Sequence, residues 1–195
     1  MSPYGVLETT NSLLFPNKQE LQNGTYMEFF DVISTRRSVR SYAEQDVSEA
    51  MIDKIIRAAM MAPSAGNQQP WHFIVTRDRE KMEQVPKFHP YASMLKNAPV
   101  AIVVCGDPNH KKWPDFWPQD CSAALQNMLL AARDLGLGTV WAGVYPLQDR
   151  MEGMRKLFGI PADIYPFAIV PVGWPDTEIK AMDRYNGSLI HSEVW

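Results

Sequence analysis

Val100-Ala101-Ile102-Val103-Val104-Cys105 is the stretch on which the fold class turns. Six apolar residues in a row, four of them β-branched, read as a fully buried central strand. Working outward, Trp71–Val75 reads as a second strand and Asp78–Val85 as a short charged helix. Downstream, Gly106–Pro118 carries three prolines, two tryptophans and a phenylalanine, which marks an ordered functional loop rather than a linker. Gln119–Leu135 is an Ala- and Leu-rich helix stopped at Gly136. Thr139–Val144 reads as a strand. Asp149 with Glu152 forms a capping box that opens a helix to Phe158-Gly159. Phe167–Val172 is a further strand, Gly173-Trp174-Pro175 a turn, and an irregular tail runs to Trp195.

Upstream, Met51, Ile52, Ile55, Ile56 and Ala59 recur at helical spacing after Ser48 and give a core stripe. Pro63 ends that helix, because the residue before a proline disfavours helical dihedrals. Thr25-Tyr26-Met27-Glu28 fits another capping box. It opens a short helix whose apolar side is Phe29, Phe30 and Ile33. Residues 1–24 show no periodicity and read as an N-terminal arm, leaving 25–195 as one domain. The early helices precede the first strand, which favours α+β over a regular β-α-β winding.

The chain has 195 residues with 46% hydrophobic and 21% charged side chains, enough for one substantial core and short for two. A net charge of -3 argues against a general polyanion binder, so no nucleic-acid partner is expected. The longest apolar runs fall well short of the roughly 20 residues of a membrane helix, so no membrane partner is expected. The first basic residue is Lys18, so no secretory signal is expected either. Cys105 and Cys121 form no C-x-x-C pair and read as buried thiols in a reducing, cytoplasmic compartment. The four histidines lack ligand spacing, so no metal site is expected.

Two segments carry candidate chemistry. Arg36-Arg37-Ser38-Val39-Arg40 gathers three guanidinium groups and a hydroxyl within five residues. Arginine binds a phosphate monoester with planar, bidentate, permanently charged donors. In an extended chain Arg36, Ser38 and Arg40 share one face and Arg37 takes the other. The competing reading is a solvated basic stretch whose cations complement the end of a helix. Pro63-Ser64-Ala65-Gly66-Asn67-Gln68-Gln69-Pro70-Trp71 offers small residues that let backbone approach a flat ring, and an amide suited to a pyrimidine edge. Its competing reading is a helix-stop loop in which Asn67 and Gln69 bond their own backbone. Together the two segments suit a ligand with an anionic end and a flat, polar-edged end, the outline of flavin mononucleotide (FMN). The glycine fingerprints of dinucleotide and Walker-type sites are absent.

From Met27 to Trp195 the chain resembles the FMN-dependent nitroreductase family. Arg36-Arg37-Ser38-Val39-Arg40-Ser41-Tyr42 matches its R-R-S-x-R-x-[FY]. Pro63 to Phe73 matches P-S-x-x-N-x-Q-P-W-x-F. Gly136-Leu137-Gly138-Thr139-Val140-Trp141-Ala142-Gly143 matches G-L-G-x-x-W-x-G. Arg184-Tyr185, Ile190-His191 and Trp195 match the C-terminal R-[FY]…[IV]-H…W.

The resemblance implies a central, mostly antiparallel sheet flanked by helices, in an intertwined homodimer with FMN at the subunit interface. It implies phosphate and ribityl contacts from Arg36 and Ser38, with Arg184 joining at the phosphate. Arg37 is similar to a position acting largely through its backbone, and Arg40 to a cation beside the ring's pyrimidine edge. Pro63, Ser64, Ala65 and Asn67 look like the second subunit's contribution, with Gln69 in the same cofactor set. Backbone amides at Ala142 and Gly143 look like donors to flavin N5, with Trp141 packed beneath. Asp183–Trp195 is expected to embrace the partner. The implied activity is NADH- or NADPH-dependent reduction of nitroaromatics or quinones by ping-pong hydride transfer, with no catalytic side chain. Candidates for the pocket roof are Trp113, Phe116 and Trp117, then His89 and Tyr91; the alternative is that these aromatics only pack their loop. Two other readings remain: a specialised member acting by reductive dehalogenation or flavin fragmentation, and a flavin-binding protein without turnover.

Overall fold

β2 (Val100–Gly106) is buried along its whole length, and its alternation divides the core in two. The computed structural model describes residues 27–109 and 112–195. The expected arm at 1–24 and the Thr25 half of the first capping box lie outside them. Among the described residues the helices are α1 (Phe29–Thr35), α2 (Glu49–Met60), α3 (Arg79–Gln84), α4 (Trp117–Asp134) and α5 (Gln148–Phe158). The remaining strands are β1 (Trp71–Thr76), β3 (Gly138–Thr139), β4 (Ala142–Gly143) and β5 (Tyr165–Gly173).

Val100, Ile102 and Val104 pack with Ile52, Ile55 and Ala59 of α2 and Cys121, Leu125 and Met128 of α4. Ala101, Val103 and Cys105 pack on the opposite side with Met82 of α3, Leu95, and Met151 and Met154 of α5. A sheet covered on both faces explains why β2 shows no polar alternation. Each fully buried aliphatic side chain here contributes about 1.5–3 kcal/mol. The sheet order is β1-β2-β5-β3, with β4 also on β5, and every strand pair is antiparallel. The fold is α+β, with an antiparallel sheet between helices.

The local signals for α2 and α3 match the structure. The Ser48 hydroxyl accepts from Met51 N, and Asp78 Oδ1 accepts from Lys81 N at 3.1 Å. Four expectations need correction. α1 buries only Val32; Phe29, Phe30 and Ile33 are exposed at 64%, 79% and 45%. α4 begins two residues early, at Trp117, because Pro118 in the first turn suits positions whose N–H has no helical partner. The capping box of α5 does not form. Leu147 occupies the cap, and Asp149 complements the helix dipole from within the first turn. The expected strand Thr139–Val144 is split in two. β3 and β4 keep one register on β5, in which Val140 would face Pro171, a residue with no N–H for a ladder.

The arginine segment is docked on the sheet's edge. Val39 N donates to Thr139 O at 2.9 Å, and Ser38 forms a parallel bridge to Thr139. The Tyr42 hydroxyl donates to Val39 O at 2.8 Å and closes the turn. Gly138 makes this approach possible: a Cβ there would lie 2.7–2.8 Å from three atoms of Val39. Gly138→Ala is expected to cost about 1–3 kcal/mol by overpacking, measured as a lowered urea midpoint.

Candidate functional site

Three guanidinium groups meet where α1 hands over to the docked segment. Arg37 donates to Arg36 O at 2.6 Å and Ser34 O at 2.7 Å, capping the carbonyl end of α1. The helix-end reading of the basic stretch therefore applies to Arg37 and not to its neighbours. Arg36 and Arg184 make no ion pair among the described residues. Burial first, then the charges of Arg184 and Arg37, push the Arg36 guanidinium down from its ordinary value. The chain thus brings Arg184 to Arg36 across most of its length and leaves their charges uncompensated. The same docked segment (Arg37–Ser41) lines a cleft of about 590 Å³ whose other wall is Asp176–Met182.

Arg40 also lines a second cleft, of about 410 Å³, with His89, Tyr91, Trp141, Gly143 and Arg150. The Gly143 carbonyl is held twice, by His89 Nε2 at 2.9 Å and by an Arg150 N–H at 2.8 Å. The next amide, Val144 N, donates to Phe167 O at 3.0 Å, so that peptide plane is pinned on both edges. His89 is 1% exposed. Burial, then the Arg150 charge, lowers its pKa from the ordinary 6.5, against the opposing pull of its bonds to backbone. The neutral ring donates from Nε2, and Nδ1 has no partner among the described residues. Trp141 is half-exposed and packs on Phe167 at 5.5 Å.

The loop from Ser64 to Gln69 is bent by left-handed backbone at Gly66 (φ 59°), Asn67 (φ 56°) and Gln69 (φ 51°). Asparagine tolerates that region; glutamine there carries strain. Ser64 Oγ accepts from Gln69 N at 3.0 Å, and buried Asp120 accepts from Ala65 N at 3.0 Å. Asp120, in the first turn of α4, is a supporting residue that sequence reading missed; its acidic side chain at a helix start was the available signal. Gln68 clasps Trp113 reciprocally, donating to its carbonyl at 3.1 Å and accepting from its amide at 2.9 Å.

Pro63, Ser64, Ala65, Asn67 and Gln69 line neither cleft of the single chain, and neither do Trp113 and Phe116. Trp113 and Phe116 are exposed at 44% and 45% and meet edge to face at 6.0 Å. Trp117 is a correction. It is 6% exposed and packs on Tyr145, Tyr165 and Phe167 over Gly106, so it belongs to the core and not to a roof. Cys105 and Cys121 are free and buried, with burial pushing both thiols up to about 12, so neither is a nucleophile at neutral pH. Among the described residues no group of three or more His, Cys, Asp or Glu could hold a metal ion. No helix among them is long and apolar enough to cross a membrane.

Comparison with known proteins gives this arrangement its class. The family model described as "Nitroreductase family" matches residues 33–89 and 87–174. A protein of Methanothermobacter thermautotrophicus, provisionally named NADH dehydrogenase/NAD(P)H nitroreductase, is 53% identical over 169 residues, spanning 87% of this chain and 88% of its own. Human iodotyrosine deiodinase 1 is 26% identical over 201 residues, spanning 87% of this chain and 68% of its own. The solved structure of a similarly named protein from Parabacteroides distasonis superposes with a TM-score of 0.82 at 43% identity, covering 86% of this chain and 98% of that one. An FMN-dependent nitroreductase from Clostridium difficile superposes with a TM-score of 0.79 at 29% identity, covering 85% and 99%. The chain belongs to the nitroreductase family.

Because His89 is held neutral, the unfolded chain binds more protons than the fold once pH drops below about 6.5. Stability is therefore complete above that value and lost as pH falls toward the lowered folded pKa. The urea midpoint of the wild type is expected to decline as pH falls from about 6.5 to about 5, and His89→Gln to remove part of that decline.

Proposed function

We propose that this nitroreductase-family chain is an FMN-dependent oxidoreductase. It takes hydride from NADH or NADPH and passes it to a nitroaromatic, quinone or similar acceptor. The observation that carries the reading is the docking of Val39 on Thr139. It sets Ser38 beside Thr139 and Arg40 in the cleft of the Trp141–Gly143 backbone, while Arg184 joins Arg36. Two guanidiniums that make no ion pair among the described residues suit a phosphate carrying close to two charges. The relatives' names support the same activity.

Arg36, Ser38 and Arg184 would hold the phosphate end. Arg40 would stabilise negative charge at the pyrimidine edge of a reduced ring. The pinned Gly143 peptide keeps neighbouring backbone amides in place, so donors there need no reorganisation. Bound FMN supplies the hydride chemistry itself, and the protein binds, orients and excludes water. Donor and acceptor would use the same cleft in turn.

The second subunit completes this reading. The 63–69 loop lines neither cleft of its own chain, and Gln68 ties Trp113 to that loop. Both would therefore reach the partner's flavin, with Trp113 and Phe116 in its roof. The exposed Phe29, Phe30, Tyr185, Leu189 and Trp195 supply apolar surface for such a dimer. The buried thiols suit the cytoplasm. Reductive dehalogenation is the second reading, favoured by the deiodinase relative, whose identity of 26% is half that of the NAD(P)H nitroreductase relative.

Purified protein given FMN is expected to show flavin absorption that NADH or NADPH bleaches. A protein that stays colourless sinks the proposal, and flavin that neither donor bleaches leaves only a binder. Arg36→Ala is expected to weaken FMN binding at least about tenfold through lost charge-assisted bonds, checked by flavin fluorescence titration. Trp113→Ala or Phe116→Ala is expected to alter acceptor preference with FMN retained. A Phe29→Ser/Phe30→Ser double variant is expected to shift the protein toward monomer in light scattering and to release flavin. A monomer that keeps tight FMN would contradict the shared site.

A further inference from the structure

The flavin reading uses one N–H of Arg150, to pin the Gly143 peptide, and leaves the rest of its guanidinium without a task. Arg150 sits in the first turn of α5, where a cation opposes the helix dipole, so helix electrostatics do not explain it. It makes no ion pair among the described residues. Asp149 lines the adjoining groove with it but does not neutralise it. One guanidinium N–H is used on the Gly143 carbonyl, and that bond, shared with His89, anchors the group in the second cleft. Its carbon lies 5.6 Å from the centre of the Tyr91 ring. Tyr91 is 73% exposed and offers a flat apolar face at the cleft mouth. Among the described residues no carboxylate lines this cleft, and Arg40 adds a second cation to it. A guanidinium has five N–H donors in a planar fork, and the remaining four have no partner among the described residues.

We propose that Arg150, standing on Tyr91, is an oxyanion subsite that makes the cleft select flat redox ligands bearing a carboxylate, sulfonate or phosphate. This rests on the oxidoreductase reading of the same cleft. Two ligands carry that chemistry: an anionic acceptor, and the nicotinamide donor through its phosphates. Aromatic platform and anchored fork together suit a planar anion better than either would alone.

The test compares Arg150→Met and Arg150→Lys with wild type in the full-length, FMN-loaded protein. Its acceptor arm is the ratio of kcat/KM for a naphthoquinone sulfonate to that for the parent naphthoquinone. Its donor arm is kcat/KM for NADH and for NADPH. Arg150→Met is expected to lower the acceptor ratio about tenfold, the value of one charge-assisted contact. Arg150→Lys is expected to fall between, because the ammonium keeps the charge and loses the fork. A loss confined to NADH and NADPH assigns the subsite to the donor's phosphate. Equal losses on both quinones and both donors, or no loss on any of them, overturn the proposal. A binding measurement separates it from the flavin reading. Naphthalene sulfonate is titrated against naphthalene methanol by calorimetry, with or without FMN. If FMN does not bind, the oxidoreductase reading fails, while a tenfold weaker sulfonate affinity in Arg150→Met still supports the subsite. Unchanged sulfonate preference in that variant overturns it.

Discussion

The backbone hydrogen bond from Val39 N to Thr139 O docks the arginine segment against the end of β3. It exists because Gly138 has no side chain to collide with Val39, and because Tyr42 closes the turn from the other side. Through it, Ser38 bridges to Thr139 at the end of β3, and Arg40 brings its charge to the Trp141–Gly143 backbone. The buried sheet beneath supplies rigidity: β2 and β5 are packed on both faces, so the edge to which the segment docks does not move freely.

Pro171 shapes the same edge from within. By interrupting the ladder opposite Val140, it separates β3 from β4 and leaves Trp141 half-exposed at the cleft. The Gly143 carbonyl then finds partners in side chains, His89 and Arg150. That carbonyl lies on the outer edge of β4, turned away from β5, because the next amide, Val144 N, is the one that bonds Phe167 O. The cleft collects positive charge because nothing acidic among the described residues lines it, which is the condition an anionic ligand exploits.

Much of the fold was legible locally. The β-branched run at 100–105 marked the central strand, Ser48 and Asp78 marked the starts of α2 and α3, and the stripe from Met51 to Ala59 marked a core face. The misses share a cause: they depend on what lies across space. Asp149 and Glu152 fit a capping box, yet Leu147 takes the cap. Trp117 looked like a loop aromatic, but Gly106, a neighbour through the fold, leaves a seat that its ring fills. Phe29 and Phe30 were expected on the apolar side of α1, yet nothing among the described residues covers them.

The candidate site divides the same way. The residue types were set by sequence alone: guanidiniums at 36, 40 and 184, small residues at 64–66, and a glycine-rich run at 136–143, because charge and bulk are properties of a side chain wherever it sits. Their assembly was decided by tertiary structure. Arg184 approaches Arg36 from the far end of the chain. Arg37 turns away to cap a helix. His89, expected at the pocket roof, and Arg150, which the sequence did not single out, converge on one carbonyl. Hydrogen bonds and charge interactions act over a few ångströms of space, and only the folded backbone sets those distances.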